Sequence, residues 1–207
     1  RSLAPHLADK RTDPAVVNLD EAGRHVQSVL SGHLGGANAL ARRLAHALGA
    51  EPVITTASDV QELWSLDLLA RTYGWTPSAS PDLNAVIARF VNRRPTALLL
   101  EVRDRGTAFL ERTRPEHVTV FQRYEDIDFT RFELLIAVTY RQLAAPVPSL
   151  QLWARALCVG LGCTRGAPSA GLAASAEALL DAHGLPRAAV RCVASASLKA
   201  DEPALRD

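Results

Sequence analysis

The residue with the clearest chemical potential is His33. It sits in Ser31-Gly32-His33-Leu34-Gly35-Gly36-Ala37-Asn38, a glycine-rich loop that leads into a helical pattern. An imidazole changes charge near neutrality, so His33 is a candidate general base or an orienting donor. Glycines let a backbone approach a ligand closely, and the N–H groups at a helix start favour anions, carboxylates included. The same pattern also describes an ordinary strand-to-helix turn with a hydrogen-bonded histidine. A second group, Thr55-Thr56-Ala57-Ser58-Asp59, closes a short β-branched strand. In open α/β sheets ligands gather outside the carboxyl ends of strands. Asp59 is there either as a catalytic carboxylate or as a helix N-cap worth about 1 kcal/mol.

Three further motifs carry charge. Lys10-Arg11-Thr12-Asp13-Pro14 places two cations beside good turn chemistry. Gly160-Leu161-Gly162-Cys163-Thr164-Arg165-Gly166 is a strand followed by a glycine-rich loop, and Arg165 could clamp a carboxylate bidentately. It lacks the GK[ST] of a phosphate-binding loop and the glycine spacing of a dinucleotide fingerprint. Leu198-Lys199-Ala200-Asp201-Glu202-Pro203 is either a charged cluster at a strand mouth or a solvated face. Lys10 and Lys199 are the only lysines among 23 basic residues. An ammonium is a compact charge that Arg does not imitate, which draws attention to both.

The elements that must position these groups are legible in part. Residues 15–20 and 24–30 read as two strands of a hairpin around Glu21-Ala22-Gly23. Residues 37–48 read as a helix with Leu40, Leu44 and Leu48 on one stripe beside Ala41 and Ala45, stopped by Gly49. Pro52 to Thr56 reads as a strand, and Asp59 as the cap of a helix over 60–72. A break at Gly74–Pro81 precedes a helix over 82–92. The runs 97–102 and 134–139 are continuously apolar, as suits strands buried on both faces. Residues 104–131 are assigned loosely to a helix and a short strand. Pro146-Val147-Pro148-Ser149 marks a second boundary. A strand at 157–162, an Ala-rich helix at 169–183 ended by Gly184, and a strand at 191–197 then form a βαβ-like unit.

Composition bounds the partner. Apolar residues make up 48% and charged residues 22%, the balance of a globular protein. A net charge of +1 with 5% aromatics argues against nucleic acid as the partner. No run of 18 apolar residues occurs, so no membrane helix is expected. Cys158, Cys163 and Cys192 form no CxxC pair and read as small buried hydrophobes in a reducing, cytoplasmic compartment. No protein-bound metal is expected, since no ligand spacing suggests one. The chain starts at Arg1 and contains no methionine, which reads as an internal starting point.

In order, these motifs resemble a known family. Lys10 to Gly23 followed by LSGHLGGANALARRLAHALGAEPVITTASD is similar to the N-terminal domain of the cobalt-precorrin-5A hydrolases. GLGCTRG, a helix and ASLKADEP resemble their C-terminal domain. The resemblance implies opening of a δ-lactone on a cobalt-bearing macrocycle by water, with loss of acetaldehyde, in oxygen-independent cobalamin synthesis. It implies no cofactor beyond the cobalt that the substrate carries. A polycarboxylate substrate suits Lys10, Arg11, Arg165 and Lys199 as receivers. Ser31, Gly32, Gly35, Gly36, Asn38, Thr55, Thr56, Gly162, Gly166 and Glu202 complete the expected substrate-binding set. Lactone opening needs an activated water and a stabilised oxyanion. His33 is the expected base, with Asp59 orienting or replacing it and Glu21 as a third acid or base. Loop N–H groups near Gly35 and Gly36 are the expected oxyanion donors. The sequence departs from the family pattern at Gln61, Glu62, Thr164 and Ser197, and is expected to lack both family termini.

The expected fold is α/β, with two or three small domains, each a parallel or mixed sheet flanked by helices. The expected boundaries are 1–76, 77–150 and 151–207, for N-terminal, middle and C-terminal domains. The alternative function is a non-catalytic module that binds or hands on a corrinoid or tetrapyrrole. Other enzymes of the cobalamin pathway and a second copy of the chain are the further partners considered. A general nucleotide binder is disfavoured by the missing phosphate fingerprints.

Overall fold

The computed structural model describes residues 3, 7, 13–56, 61, 63–78, 82–164, 166, 169–199 and 201. The chain divides into two compact units, residues 1–69 and 70–207.

The first unit is built on a three-stranded sheet, β1 (Val16–Leu19), β2 (His25–Leu30) and β3 (Glu51–Val53), in that order. β1 and β2 form the antiparallel hairpin that the turn at Glu21–Gly23 predicts, while β3 runs parallel to β2. Gly23 takes the left-handed conformation at φ 63, which suits a residue without Cβ. Helix α1 (Ala37–Leu48) makes the crossover and stops at Gly49, φ 67, as expected. The buried face of α1 differs from the leucine stripe. Ala37, Asn38, Ala41 and Ala45 are buried, whereas Leu48 is exposed. Small alanines let the helix axis approach the sheet closely, so Leu44 packs only at the flank of the cluster around Val26. β3 is shorter than the strand expected over 52–56. The next helix among the described residues, α2 (Leu66–Tyr73), overlaps the later part of the span expected to be helical over 60–72. Asp59, the expected cap, lies outside the described residues.

In the second unit a five-stranded sheet has the order β4-β8-β7-β5-β6. β5 (Thr96–Leu100), β6 (Val118–Phe121), β7 (Leu134–Thr139) and β8 (Ser149–Trp153) are parallel. β4 (Thr76–Pro77) closes one edge antiparallel to β8. β5 and β7 are buried along their whole length, which is why they read as unbroken apolar runs. Helix α3 (Leu83–Val91) is capped by Asp82, and α4 (Arg105–Arg112) by a reciprocal box between Asp104 and Thr107. Asp104 also accepts from Trp75 Nε1 at 2.7 Å, and the Trp75 ring lies so close to Gly106 that a Cβ there would collide with it. β8, like the short edge strand β4, is an element the sequence did not disclose. Its buried Gln151 bonds both backbone polar groups of Leu143, an amide standing in for a missing strand partner.

Beyond this sheet, β9 (Leu157–Gly160) and β10 (Val190–Ala194) pair in parallel around helix α5 (Ser169–Ala182), and Gly184 follows at φ 62. This is the expected βαβ unit. The cysteines are a correction. Cys158 and Cys192 are register partners on β9 and β10 and are both exposed, and Cys163 is half-buried. A two-stranded sheet with one crossover helix leaves a face open, and these thiols lie outside the core. A hydrogen bond with the Cys192 thiol raises the pKa of Cys158.

Candidate functional site

His33 is held in the first unit by two residues that sequence reasoning did not single out. Its Nδ1 lies 3.3 Å from Asp67 Oδ1, and its Nε2 lies 3.4 Å from Ser65 Oγ. The His33 and Asp67 side chains are only 14% and 16% exposed. The local sequence explains the grouping. Ser65 immediately precedes α2 and Asp67 lies in its first turn, where a carboxylate is favoured by the helix dipole. Trp64, Leu66 and Leu69, close by in the chain, are buried. A Ser followed two residues later by an Asp, ahead of an amphipathic stretch, is itself a helix-start signal. Placing the helix at 60–72 put both residues in its interior and hid them.

The loop that carries His33 is shaped by steric necessity. A Cβ at Gly32 would sit 2.7 Å from Asn38 Oδ1 and 3.1 Å from Thr56 Oγ1, and one at Gly35 would collide with Ser31 Cβ. Ser31 itself takes φ 56, a left-handed conformation unusual for a residue with a Cβ. Asn38 is 4% exposed and donates to Thr56 Oγ1 at 3.0 Å, which ties the start of α1 to the segment after β3. Thr55 lies beside it, exposed.

The expected anion cradle is altered by the loop's own hydrogen bonds. Gly36 donates its N–H to the His33 carbonyl, Ala37 to that of Ser31 and Asn38 to that of Gly32. The Gly36 N–H is thus already engaged and is no longer an oxyanion donor as expected. The helix start satisfies its donors locally because the loop folds back over it. Glu21 is also separated from His33. It is exposed in the turn at one end of β2, whereas the loop leaves the other end, so six extended residues put them roughly 20 Å apart. Glu21 and His33 do not form one site.

Asp59, Lys10, Arg11, Arg165 and Glu202 lie outside the described residues. Gly162, Gly166 and Lys199 belong to the second unit. Gly162 follows the carboxyl end of β9, and Lys199 closes a 3-10 turn after β10. Leu161 N–H to Ala194 and Ser195 Oγ–H to Leu161 tie these two strand ends together. A groove of about 490 Å³ runs between α5 and the strands, lined by Val159, Leu172, Leu180 and Val193 with Arg187 and Arg191.

One more charged group sits at strand ends of the five-stranded sheet. Glu101, after β5, is 6% exposed and receives Arg141 from beyond β7 and the Thr139 hydroxyl. The pairing with Glu101 raises the pKa of Arg141 further. Arg141 also reaches Glu125 at 3.3 Å, so its charge is spent on structure. Among the described residues no group of three or more His, Cys, Asp or Glu could hold a metal ion, and no helix is long and apolar enough to cross a membrane.

The fold and site define an α/β protein of small sheet-and-helix units, one of which holds a shielded histidine between a carboxylate and a hydroxyl. The chain belongs to the cobalamin synthesis G family. It matches the family's N-terminal model over residues 1–59, its central region over 64–155 and its C-terminus over 157–207. Two curated relatives are each named cobalt-precorrin-5A hydrolase. That of Priestia megaterium is 34% identical over 99% of this chain and 56% of its own length. That of Salmonella typhimurium is 38% identical over 99% of this chain and 58% of its own length. The chain thus spans just over half the length of these relatives. A crystal structure of a cobalamin biosynthesis protein G homologue from Sulfolobus solfataricus aligns with 93% of this chain and 54% of its own, at 19% identity and a TM-score of 0.43.

Proposed function

We propose that this chain carries the hydrolytic site of a cobalt-precorrin-5A hydrolase, opening the δ-lactone of that substrate with loss of acetaldehyde. The observation that carries the reading is His33, shielded and buttressed by Asp67 at the glycine-rich loop. Ester hydrolysis needs a group that takes a proton from the attacking oxygen and returns it to the leaving one. A neutral imidazole does both, and a carboxylate on its far nitrogen fixes the ring and stabilises the imidazolium. The names of both relatives support the substrate. Cobalt belongs to the substrate, and the protein needs no cofactor of its own. Lys199, Lys10, Arg11 and Arg165 are suited to receive substrate carboxylates. The working location in this reading is the cytoplasm.

The test is anaerobic turnover of cobalt-precorrin-5A, followed by acetaldehyde release, with His33→Ala alongside. Release by the wild type and a fall of about 10²–10⁴-fold in the variant support the reading. Tight pigment binding without acetaldehyde would replace it with a module that binds or hands on the tetrapyrrole. Neither binding nor release refutes both.

A further inference from the structure

We infer that Ser65 is a covalent nucleophile, and that Ser65, His33 and Asp67 act together as a serine–histidine–aspartate relay. The inference rests on the proposed lactone hydrolysis and assigns the oxygen that attacks first. Three observations carry it. The two ring nitrogens of His33 face different partners, Asp67 Oδ1 at 3.3 Å from Nδ1 and Ser65 Oγ at 3.4 Å from Nε2. A carboxylate only accepts, so the tautomer that satisfies Asp67 carries its proton on Nδ1. Nε2 then presents its lone pair to the Ser65 hydroxyl, which is the arrangement that activates a serine. Both separations exceed ideal hydrogen-bond lengths, as is usual for such groups before substrate tightens them. Finally, the group lies in partly shielded surroundings. Trp64 and Leu66, on either side of Ser65 in the chain, are 7% and 3% exposed. Low polarity strengthens the electrostatics of the relay.

The chemistry balances. Ser65 Oγ attacks the lactone carbonyl carbon while its proton passes to His33 Nε2. The ring carbon–oxygen bond breaks, and the departing oxygen takes that proton. The ring-opened acid is now an ester of Ser65. Water attacks the ester carbonyl, His33 accepts the water's proton, and Ser65 Oγ leaves and is reprotonated. Acetaldehyde then leaves from the freed alcohol carbon: its O–H becomes C=O as the bond from that carbon to the macrocycle breaks, and the macrocycle keeps the electron pair and takes up the proton. One water is consumed per lactone opened, and no oxidant or reductant enters. Asp67 is a positioning residue, since it acts on the substrate only through His33.

A fluorophosphonate probe tests this directly, because it phosphonylates activated serines with loss of fluoride. The expected result is a single adduct on the peptide that contains Ser65, read by mass spectrometry. It should be absent from Ser65→Ala and form at least about 10²-fold more slowly in His33→Ala. Acetaldehyde release by Ser65→Ala should fall by about 10³-fold or more. Wild-type protein that releases acetaldehyde yet takes no label at Ser65 overturns the nucleophile, leaving His33 to act on water and the hydrolase reading intact. A label at Ser65 that forms equally fast in His33→Ala overturns the relay. Labelling at Ser65 without acetaldehyde release sustains the nucleophile and removes cobalt-precorrin-5A as its substrate. The wild-type labelling does not depend on the folding of any variant.

Discussion

At the scale of single residues, the candidate site joins the surroundings of the His33 imidazole to the steric room of its loop. Asp67→Asn keeps the shape of the side chain but lets an amide donate, which favours the wrong tautomer of His33. Acetaldehyde release should fall by about 10²–10⁴-fold with binding of the pigment little changed, so kcat falls and KM holds. Equal loss in both would mean that Asp67 shapes the pocket and does not tune the imidazole. Gly35 tests the loop. A methyl there meets the Ser31 side chain and, at 2.9 Å, its carbonyl. Gly35→Ala should cost about 1–3 kcal/mol in urea unfolding, because backbone must shift to make room. Turnover should drop with it, since His33 lies on the displaced segment.

Among the elements, the carboxyl ends of β5 and β7 are joined by one ion pair whose two halves are unequally buried. Glu101 is 6% exposed and Arg141 33%. Arg141→Ala strands a buried carboxylate, which should cost about 3 kcal/mol of stability. Glu101→Ala leaves a cation that can turn to water and should cost only about 1–2 kcal/mol. Denaturant unfolding of the two variants side by side decides it, and the reverse order would show that the pair is more solvated than the structure indicates. Elements also account for the limits of pattern reading. α1 was legible at both ends because Gly36 and Gly49 bound a clear helical period. Its buried face was not, because packing distance to the sheet favoured alanine over leucine. β8 was hidden by its position after a proline-rich break, and only its pairing with β7 reveals it.

Across the whole molecule, acid should weaken the fold before its carboxylates titrate. Burial, with the nearby Arg93 cation, holds the pKa of His117 below the ordinary histidine value. The unfolded chain therefore takes up a proton below about pH 6.5 that the folded chain resists. Stability is complete above that pH and declines as pH falls below it. His117→Gln should flatten the decline between pH 7.5 and 5.5 in urea unfolding. An unchanged slope would assign the acid sensitivity elsewhere. Asp20, Glu125 and Asp128 have pKa values held low by hydrogen bonds, so their contribution is lost only below about pH 4.

The sequence by itself determined the α/β class, the hairpin, α1, the buried runs of β5 and β7 and the last βαβ unit, and it singled out His33 as a candidate. Each rests on local period, on glycine at turns or on a run of apolar residues, and these are properties of neighbours along the chain. Only the tertiary structure decided what His33 touches. Ser65 and Asp67 lie more than thirty positions away, and their approach depends on how β2, the loop and the start of α2 pack. It likewise decided that Glu21 stands apart, that the Gly36 N–H is engaged within its own loop, and that Cys158 and Cys192 meet on an open face. Local pattern fixes the direction of a side chain relative to its own element. Which groups then share a site is set by packing between elements, where distance along the chain carries no information.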